Sequence, residues 1–171
     1  MPVRSLFFPI GPSICYVTLT RGAFAVIDVE DASSIGLHNW SLLRTRSGNQ
    51  YAVTNRKQPN QRFKTVQMHQ LLFTPESGCL TDHSNNCGLH NFRANLRSAT
   101  PSQNAQNQRT RADSKLSIKG VRFVARLGKY QARIRISGSL KSLGCRSTIE
   151  EAKALYDAAA AIHFGEFARF S

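Results

Sequence analysis

Thr81-Asp82-His83-Ser84-Asn85-Asn86-Cys87-Gly88-Leu89-His90-Asn91-Phe92-Arg93-Ala94-Asn95-Leu96-Arg97-Ser98-Ala99-Thr100-Pro101-Ser102-Gln103-Asn104 is the stretch that decides how this chain is read. Asp82 offers a carboxylate, His83 a base beside it, Asn95 an amide able to fix the imidazole, and Asn104 a second hard oxygen. An isolated Asp-His pair is usually a turn or surface feature, and a lone Asn a cap or turn residue. Spacing changes that reading: Asn95 follows His83 by twelve residues and Asn104 by twenty-one. Leu80 to His83 reads as a strand. Thr100-Pro101-Ser102-Gln103 reads as a helix start, with Thr100 capping, Pro101 in the first turn and Gln103 completing a capping box. Asn104 is then expected in the first helical turn, facing back toward the strand that bears His83.

Those groups suit the hydrolysis of a phosphodiester, which needs an activated water, a cation against developing charge and a stabilised leaving 3′-oxygen. His83 titrates near neutrality and suits removal of a proton from water. Asp82 and Asn104 are the oxygen ligands Mg²⁺ prefers. Asn95 could accept the second ring N–H and so select the tautomer of His83.

The rest of the chain names the substrate class. Its 171 residues carry 23 Lys+Arg against 10 Asp+Glu, a formal charge of +13, which implies a polyanionic partner. No apolar run approaches the roughly 20 residues of a spanning helix, so a membrane is not the expected partner. Met1-Pro2-Val3-Arg4-Ser5-Leu6-Phe7-Phe8-Pro9 is too short an apolar stretch for a signal peptide. Cys15, Cys79, Cys87 and Cys145 form no C-x-x-C pair, which argues against a zinc knuckle and for free thiols in a reducing compartment. The expected location is the cytoplasm, nucleoid-associated or that of a host cell.

Outward from the motif, Tyr16-Thr20 and Phe24-Asp28 read as a hairpin around Arg21-Gly22. A short helix is expected over Ser33-Trp40, strands over Gln50-Thr54 and Phe63-Gln67, and a short apolar helix at Met68-Phe73. Asn107 to Leu116 is polar without apolar periodicity and reads as a linker. Beyond it, Val121-Arg126, Tyr130-Ile136 and Lys141-Cys145 alternate as strands, with turns at Gly128 and Gly138. Val121, Phe123, Ala125, Ala132, Ile134 and Ile136 take the apolar face. Arg122, Arg126, Arg133 and Arg135 take the other, a ribbon that fits the major groove. A helix starts at the capping box Thr148-Ile149-Glu150-Glu151 and ends before Gly165.

Two resemblances follow from these residues. The central segment resembles the HNH (ββα-metal) endonucleases of the phage and intron-encoded homing type, whose pattern runs D-H-x-x-x-N, L-x-N-R-x-x-N-L-R, then Thr and a final Asn. That likeness implies Asp82 and Asn104 as metal ligands, His83 as general base and Asn95 as the central asparagine. Met68-His69 resembles the short helix of such proteins, and Leu19-Thr20-Arg21-Gly22 with Phe24-Ala25 their N-terminal segment. The chain departs from the pattern at Leu89-His90-Asn91-Phe92, where L-D-N-R is usual, so the carboxylate and arginine that brace the loop or touch DNA are missing. His69 and His90 are read as structural or DNA-contacting residues. The C-terminal part resembles the plant Apetala-two/ethylene-response-factor (ERF) DNA-binding fold. The matching residues are Lys119-Gly120-Val121-Arg122-Phe123, Tyr130-x-Ala132-x-Ile134, Leu143-Gly144, Thr148-x-Glu150-Glu151-Ala152, Ala154-x-Tyr156-Asp157-x-Ala159-Ala160 and Phe164-Gly165. Tyr130 and Phe123 stand where tryptophans are common. This likeness implies DNA contact by Arg122, Arg126, Arg133, Arg135 and Lys141.

The expectation is an α+β chain with an HNH nuclease region over 14–108 (motif core 78–108), a linker over 109–116 and an ERF-type domain over 117–171. It would bind double-stranded DNA, and no membrane or protein partner is expected. It would cut or nick DNA with one Mg²⁺ or Mn²⁺. The alternative is a non-catalytic, transcription-factor-like DNA-binding protein with a decayed nuclease unit.

Overall fold

The computed structural model describes residues 7–9, 13–108, 110, 116 and 118–170. Its strands are β1 (Phe7–Pro9), β2 (Ile14–Thr18), β3 (Phe24–Asp28), β4 (Ser41–Arg44), β5 (Gln50–Lys57), β6 (Phe63–Gln67), β7 (Leu80–His83), β8 (Leu96–Ala99), β9 (Val121–Val124), β10 (Lys129–Ile136) and β11 (Ser139–Arg146). Its α-helices are α1 (Ala32–Ile35), α2 (His69–Leu72), α3 (Pro101–Asn107) and α4 (Ile149–Phe164). Small antiparallel sheets and helices make a mixed architecture compatible with the α+β class: β1-β2-β3, β4-β5-β6, the pair β7-β8, and β11-β10-β9. The chain divides into two compact units, Met1–Pro101 and Ser102–Ser171. That division falls after Pro101, the first residue of α3; of the polar stretch expected to be the linker, residues 109 and 111–115 lie outside the described residues.

In the first unit, alternation along β2 turns Cys15 and Val17 inward and leaves Tyr16 outside. β2 pairs with β3, whose Ala25 and Ile27 are fully buried. Arg21 (φ 63°) and Gly22 (φ 68°) make the tight connection between them. Ile35, Trp40, Leu42, Ala52 and Met68 complete this core. The helix expected over Ser33-Trp40 stops at Ile35, because Trp40 leaves the helical path to bury its ring. Its indole N–H donates to the Ile35 carbonyl at 2.9 Å. β4 was not expected from the sequence. It is four residues long with only Leu42 buried, too little for alternation to register. The four cysteines are free thiols.

In the second unit, Ala132 and Ile134 of β10 and Val121 of β9 pack against Ala152, Tyr156 and Ala160 of α4. The expected capping box forms: Thr148 accepts from the Glu151 amide, and the Glu151 side chain accepts from the Thr148 amide. Gly120 (φ +73°) lies against Tyr156, where a Cβ would come within 2.0 Å of the ring. Next to it, the Lys119 ammonium donates to the carbonyls of Gln106 and, at 2.9 Å, Gln108. It thereby caps the carbonyl end of α3. Two details differ from the sequence reading. β9 ends at Val124, and Ala125–Leu127 form a 3-10 turn closed by the left-handed Gly128, so Arg126 and Ala125 leave the sheet. Phe123 is 50% exposed. Its ring rests on Tyr130 with centroids 5.1 Å apart instead of entering the core.

Candidate active site

Four buried polar residues of the first unit, Asp82, His83, Asn91 and Asn95, lie in one hairpin and its loop. β7 and β8 pair with Asp82 opposite Arg97 and His83 opposite Leu96. Asp82 and His83 are both buried. Across the hairpin, Arg97 Nε donates to Asp82 Oδ2 at 2.9 Å, which fixes the carboxylate in place. A buried carboxylate needs such a counter-charge, since an unpaired one would be strongly destabilising.

The loop from 84 to 95 then supplies the amides. Asn91 is fully buried, and its side-chain carbonyl lies 3.2 Å from His83 Nε2. A carbonyl oxygen only accepts, so Nε2 carries the ring proton and Nδ1 is the basic nitrogen. The sequence assigned this task to Asn95. Asn95 is buried too, but its amide ties the loop together: Oδ1 accepts from Ser84 Oγ at 2.8 Å and the Asn85 amide at 3.1 Å. Its Nδ2 donates to the His90 carbonyl at 2.7 Å. The geometry therefore gives the orienting contact to Asn91 and loop closure to Asn95.

β3 holds this loop from outside. The Val26 amide donates to the Leu89 carbonyl at 2.8 Å, and the Asn91 amide donates to the Val26 carbonyl at 2.6 Å. The Arg93 amide donates to Asp28 Oδ2 at 2.7 Å. Gly88 permits the close approach to β5, since a Cβ there would fall 2.4 Å from the Gln50 carbonyl and 2.5 Å from the Tyr51 ring. His69 meets His83 edge-on with centroids 5.1 Å apart, and Tyr51 lies 6.3 Å from His83. Burial pushes the His83 pKa below the ordinary imidazole value. The Asn91 bond and the Asp82 charge oppose that shift, and His90 adds to it. Burial, with His83 beside it, takes His69 down to about 4. Both rings are therefore held toward the neutral form that a base requires.

Asn104 lies half-buried in α3, which belongs to the second unit. Among the described residues, one cluster of three acidic ligand groups occurs, Asp28, Glu30 and Asp31, with ligand atoms within 4.8 Å of one another. Arg93 already serves it, pairing with Glu30 and, at 2.6 Å, with Asp31 Oδ1. Asp82 is not part of that cluster. Its hard carboxylate oxygen is of the kind that Mg²⁺ or Mn²⁺ takes and a thiophilic ion does not prefer.

On the second unit, Arg122, Arg135 and Lys141 are exposed on the sheet, Arg133 is half-buried, and Arg126 is exposed on the 3-10 turn. The first unit has its own basic surface, which the sequence reading missed. Residues 32–75 contain six Lys or Arg and no acid, and Arg56, Lys57, Arg62 and Lys64 stand exposed on the β5–β6 hairpin. A count of charge along that segment would have found it.

The chain is similar to an uncharacterised HNH endonuclease of Acanthamoeba polyphaga mimivirus, with 29% identity over 170 residues, covering 94% of this chain and 83% of the relative. That similarity supports an HNH-type nuclease. No family model matches the chain, and no solved structure does. No helix among the described residues is long and apolar enough to cross a membrane.

Proposed function

We propose that this chain is an HNH-type endonuclease that binds double-stranded DNA and hydrolyses its phosphodiester bonds with one Mg²⁺ or Mn²⁺. The observation that carries this reading is the buried Asp82-His83 pair, its imidazole oriented by Asn91 on a loop closed by Asn95. The relative's name points the same way.

In this reading His83 Nδ1 takes a proton from water, the water oxygen attacks phosphorus, and the 3′-oxygen leaves with the bonding electrons. Asn91 holds the ring in the tautomer that leaves Nδ1 basic. Arg97 holds the Asp82 carboxylate in its orientation. Asp82 and Asn104 would hold the cation, which supplies charge stabilisation at the phosphate. β7 and β8 would then be the two strands of a ββα-metal unit. The ERF-like sheet β9–β11 with α4 would supply DNA affinity through Arg122, Arg126, Arg133, Arg135 and Lys141, and the exposed cations of β5–β6 add to the attraction.

Supercoiled plasmid with Mg²⁺ tests this. Wild type should convert it to open circle or linear form. His83→Ala should lose on the order of 10²–10⁴-fold in rate while keeping its DNA affinity. Equal rates in the two would remove His83 from the mechanism. DNA binding with no cleavage in either would favour the non-catalytic alternative.

A further inference from the structure

The outward face of the C-terminal sheet carries a side-chain chain that crosses all three strands. Arg122 on β9 stands directly opposite Gln131 on β10, and its Nε donates to Gln131 Oε1 at 2.9 Å. Gln131 Nε2 in turn donates to Ser142 Oγ on β11, also at 2.9 Å. Arg122 and Gln131 lie opposite the face buried by Val121, Ala132 and Ile134, so this chain of bonds contributes nothing to the core.

What it does is orient a guanidinium. With Nε occupied from the side, the two terminal nitrogens of Arg122 remain, and no other described residue engages them. That fork is the part of arginine that meets the O6 and N7 edge of guanine with two parallel bonds. The neighbouring arginines are held differently. Arg135 turns one terminal nitrogen back to the Gly138 carbonyl at 2.7 Å. Arg126 has left the sheet for the 3-10 turn. Among these three, Arg122 alone combines a fixed inner nitrogen with an open fork.

We propose that Gln131 is a positioning residue for DNA specificity: with Ser142 behind it, it holds the Arg122 fork for a guanine in the bound duplex. This rests on the reading of the C-terminal sheet as DNA-binding and adds to it which residue sets a base preference. A loose arginine would satisfy itself on any phosphate, whereas one held at Nε loses less freedom on binding in one orientation.

The test uses the full chain in EDTA, so that DNA is bound and not cut. Selection from a random duplex library defines the preferred site, and affinities for single base-pair changes give a profile by position. Arg122→Ala should lose discrimination at one G·C pair by about 5- to 150-fold. Gln131→Ala should relax the same pair by about 2- to 10-fold, the worth of one hydrogen bond. It should leave unchanged the other positions, the affinity for random duplex, the slope of log affinity against log salt, and the melting temperature. Ser142→Ala should affect that same pair and add nothing in the Gln131→Ala background. A Gln131→Ala profile identical to wild type, or weakened equally at every position, would overturn the proposal. So would an Arg122→Ala variant whose only change is a salt slope shallower by roughly 0.9, the mark of a phosphate contact. A wild-type chain that binds no duplex ends the DNA reading itself; a wild type that binds with selectivity while Gln131→Ala matches it ends only this proposal.

Discussion

Replacing Asn95 by alanine separates loop closure from chemistry. The Asn95 side chain is 3% exposed and makes three bonds: two accepted from Ser84 Oγ and the Asn85 amide, one donated to the His90 carbonyl. Alanine removes all three and leaves the Asn85 amide and the His90 carbonyl without their partner. Each bond is worth about 1 kcal/mol, and a buried group left unmade costs about 1–3 kcal/mol. Ser84 can turn to water, so the net loss should be about 2–4 kcal/mol, a large share of the roughly 5–15 kcal/mol that holds a domain. The single tryptophan, Trp40, is buried in the core of the first unit, so its fluorescence reports on that unit alone. With a urea dependence of about 2 kcal/mol/M, the unfolding midpoint of Asn95→Ala should fall by roughly 1–2 M. Asn95→Asp, which keeps two acceptor bonds and loses the donor, should fall between the two. Plasmid nicking should drop in Asn95→Ala as well, because the same loop presents Asn91 to His83. A midpoint within about 0.3 M of wild type would refute the assignment of Asn95 as the tie of this loop.

Two further outcomes follow from the histidines. Asn91→Leu removes a bond that pulls the His83 pKa upward against burial, with Asp82 also pulling up and His90 pulling down. The acidic limb of kcat/KM for nicking should therefore move to lower pH, and its plateau should fall because the ring loses its orientation; a limb displaced to higher pH would contradict the geometry. His69 is held near 4 in the fold, against 6.5 for a free imidazole. The unfolded chain thus takes up the proton first as pH drops. Stability of the first unit should be complete above about 6.5 and decline toward pH 4, with a His69 share of about 3 kcal/mol at most. Urea midpoints from Trp40 at pH 7 and 4.5 check this, and His69→Gln should flatten the difference. Parallel losses in variant and wild type would remove His69 as the cause.

The sequence was readable wherever one pattern is imposed by one neighbour. The strand over Phe24–Asp28, the alternation along β10 and the capping box at Thr148 are local, and each appears where the residues put it, whereas β2 starts and ends two residues before the expected Tyr16–Thr20. The short strand β4 was not readable, since its pairing with β5 and not its own pattern makes it a strand. The division of labour between Asn91 and Asn95 failed for a related reason. Both lie within a loop of His83, and only closure of that loop on β3, through Val26 and Asp28, decides which amide meets the ring. The link from Arg93 to Glu30 and Asp31 spans more than sixty residues of chain, and no local spacing announces it. Arg126 was misplaced because alternation was extended through a turn that Gly128 had already closed.

Among the departures from the homing-endonuclease pattern, His90 and Phe92 are the ground for a binding-only reading, and their surroundings weaken it. His90 Nδ1 lies 2.8 Å from Asn85 Nδ2, and Asn85 Oδ1 accepts from the Cys87 amide at 2.9 Å, so side-chain bonds brace the turn where a carboxylate was expected. Phe92 lies beside the His90 ring, centroids 6.1 Å apart, and the next residue, Arg93, ties the loop to Glu30 and Asp31. Both departures are thus absorbed by the loop's own contacts. In the hairpin and its loop, Asp82, His83, Asn91 and Asn95 are all buried within fourteen residues of sequence. Burying polar groups opposes folding unless every partner is supplied, and apolar residues would close a two-stranded hairpin more stably. Holding a carboxylate and an imidazole side by side costs this hairpin the supply of a partner for each, Arg97 for Asp82 and Asn91 for His83. Local stability is given up where function requires it, which is what the proposed catalytic role of the pair would demand.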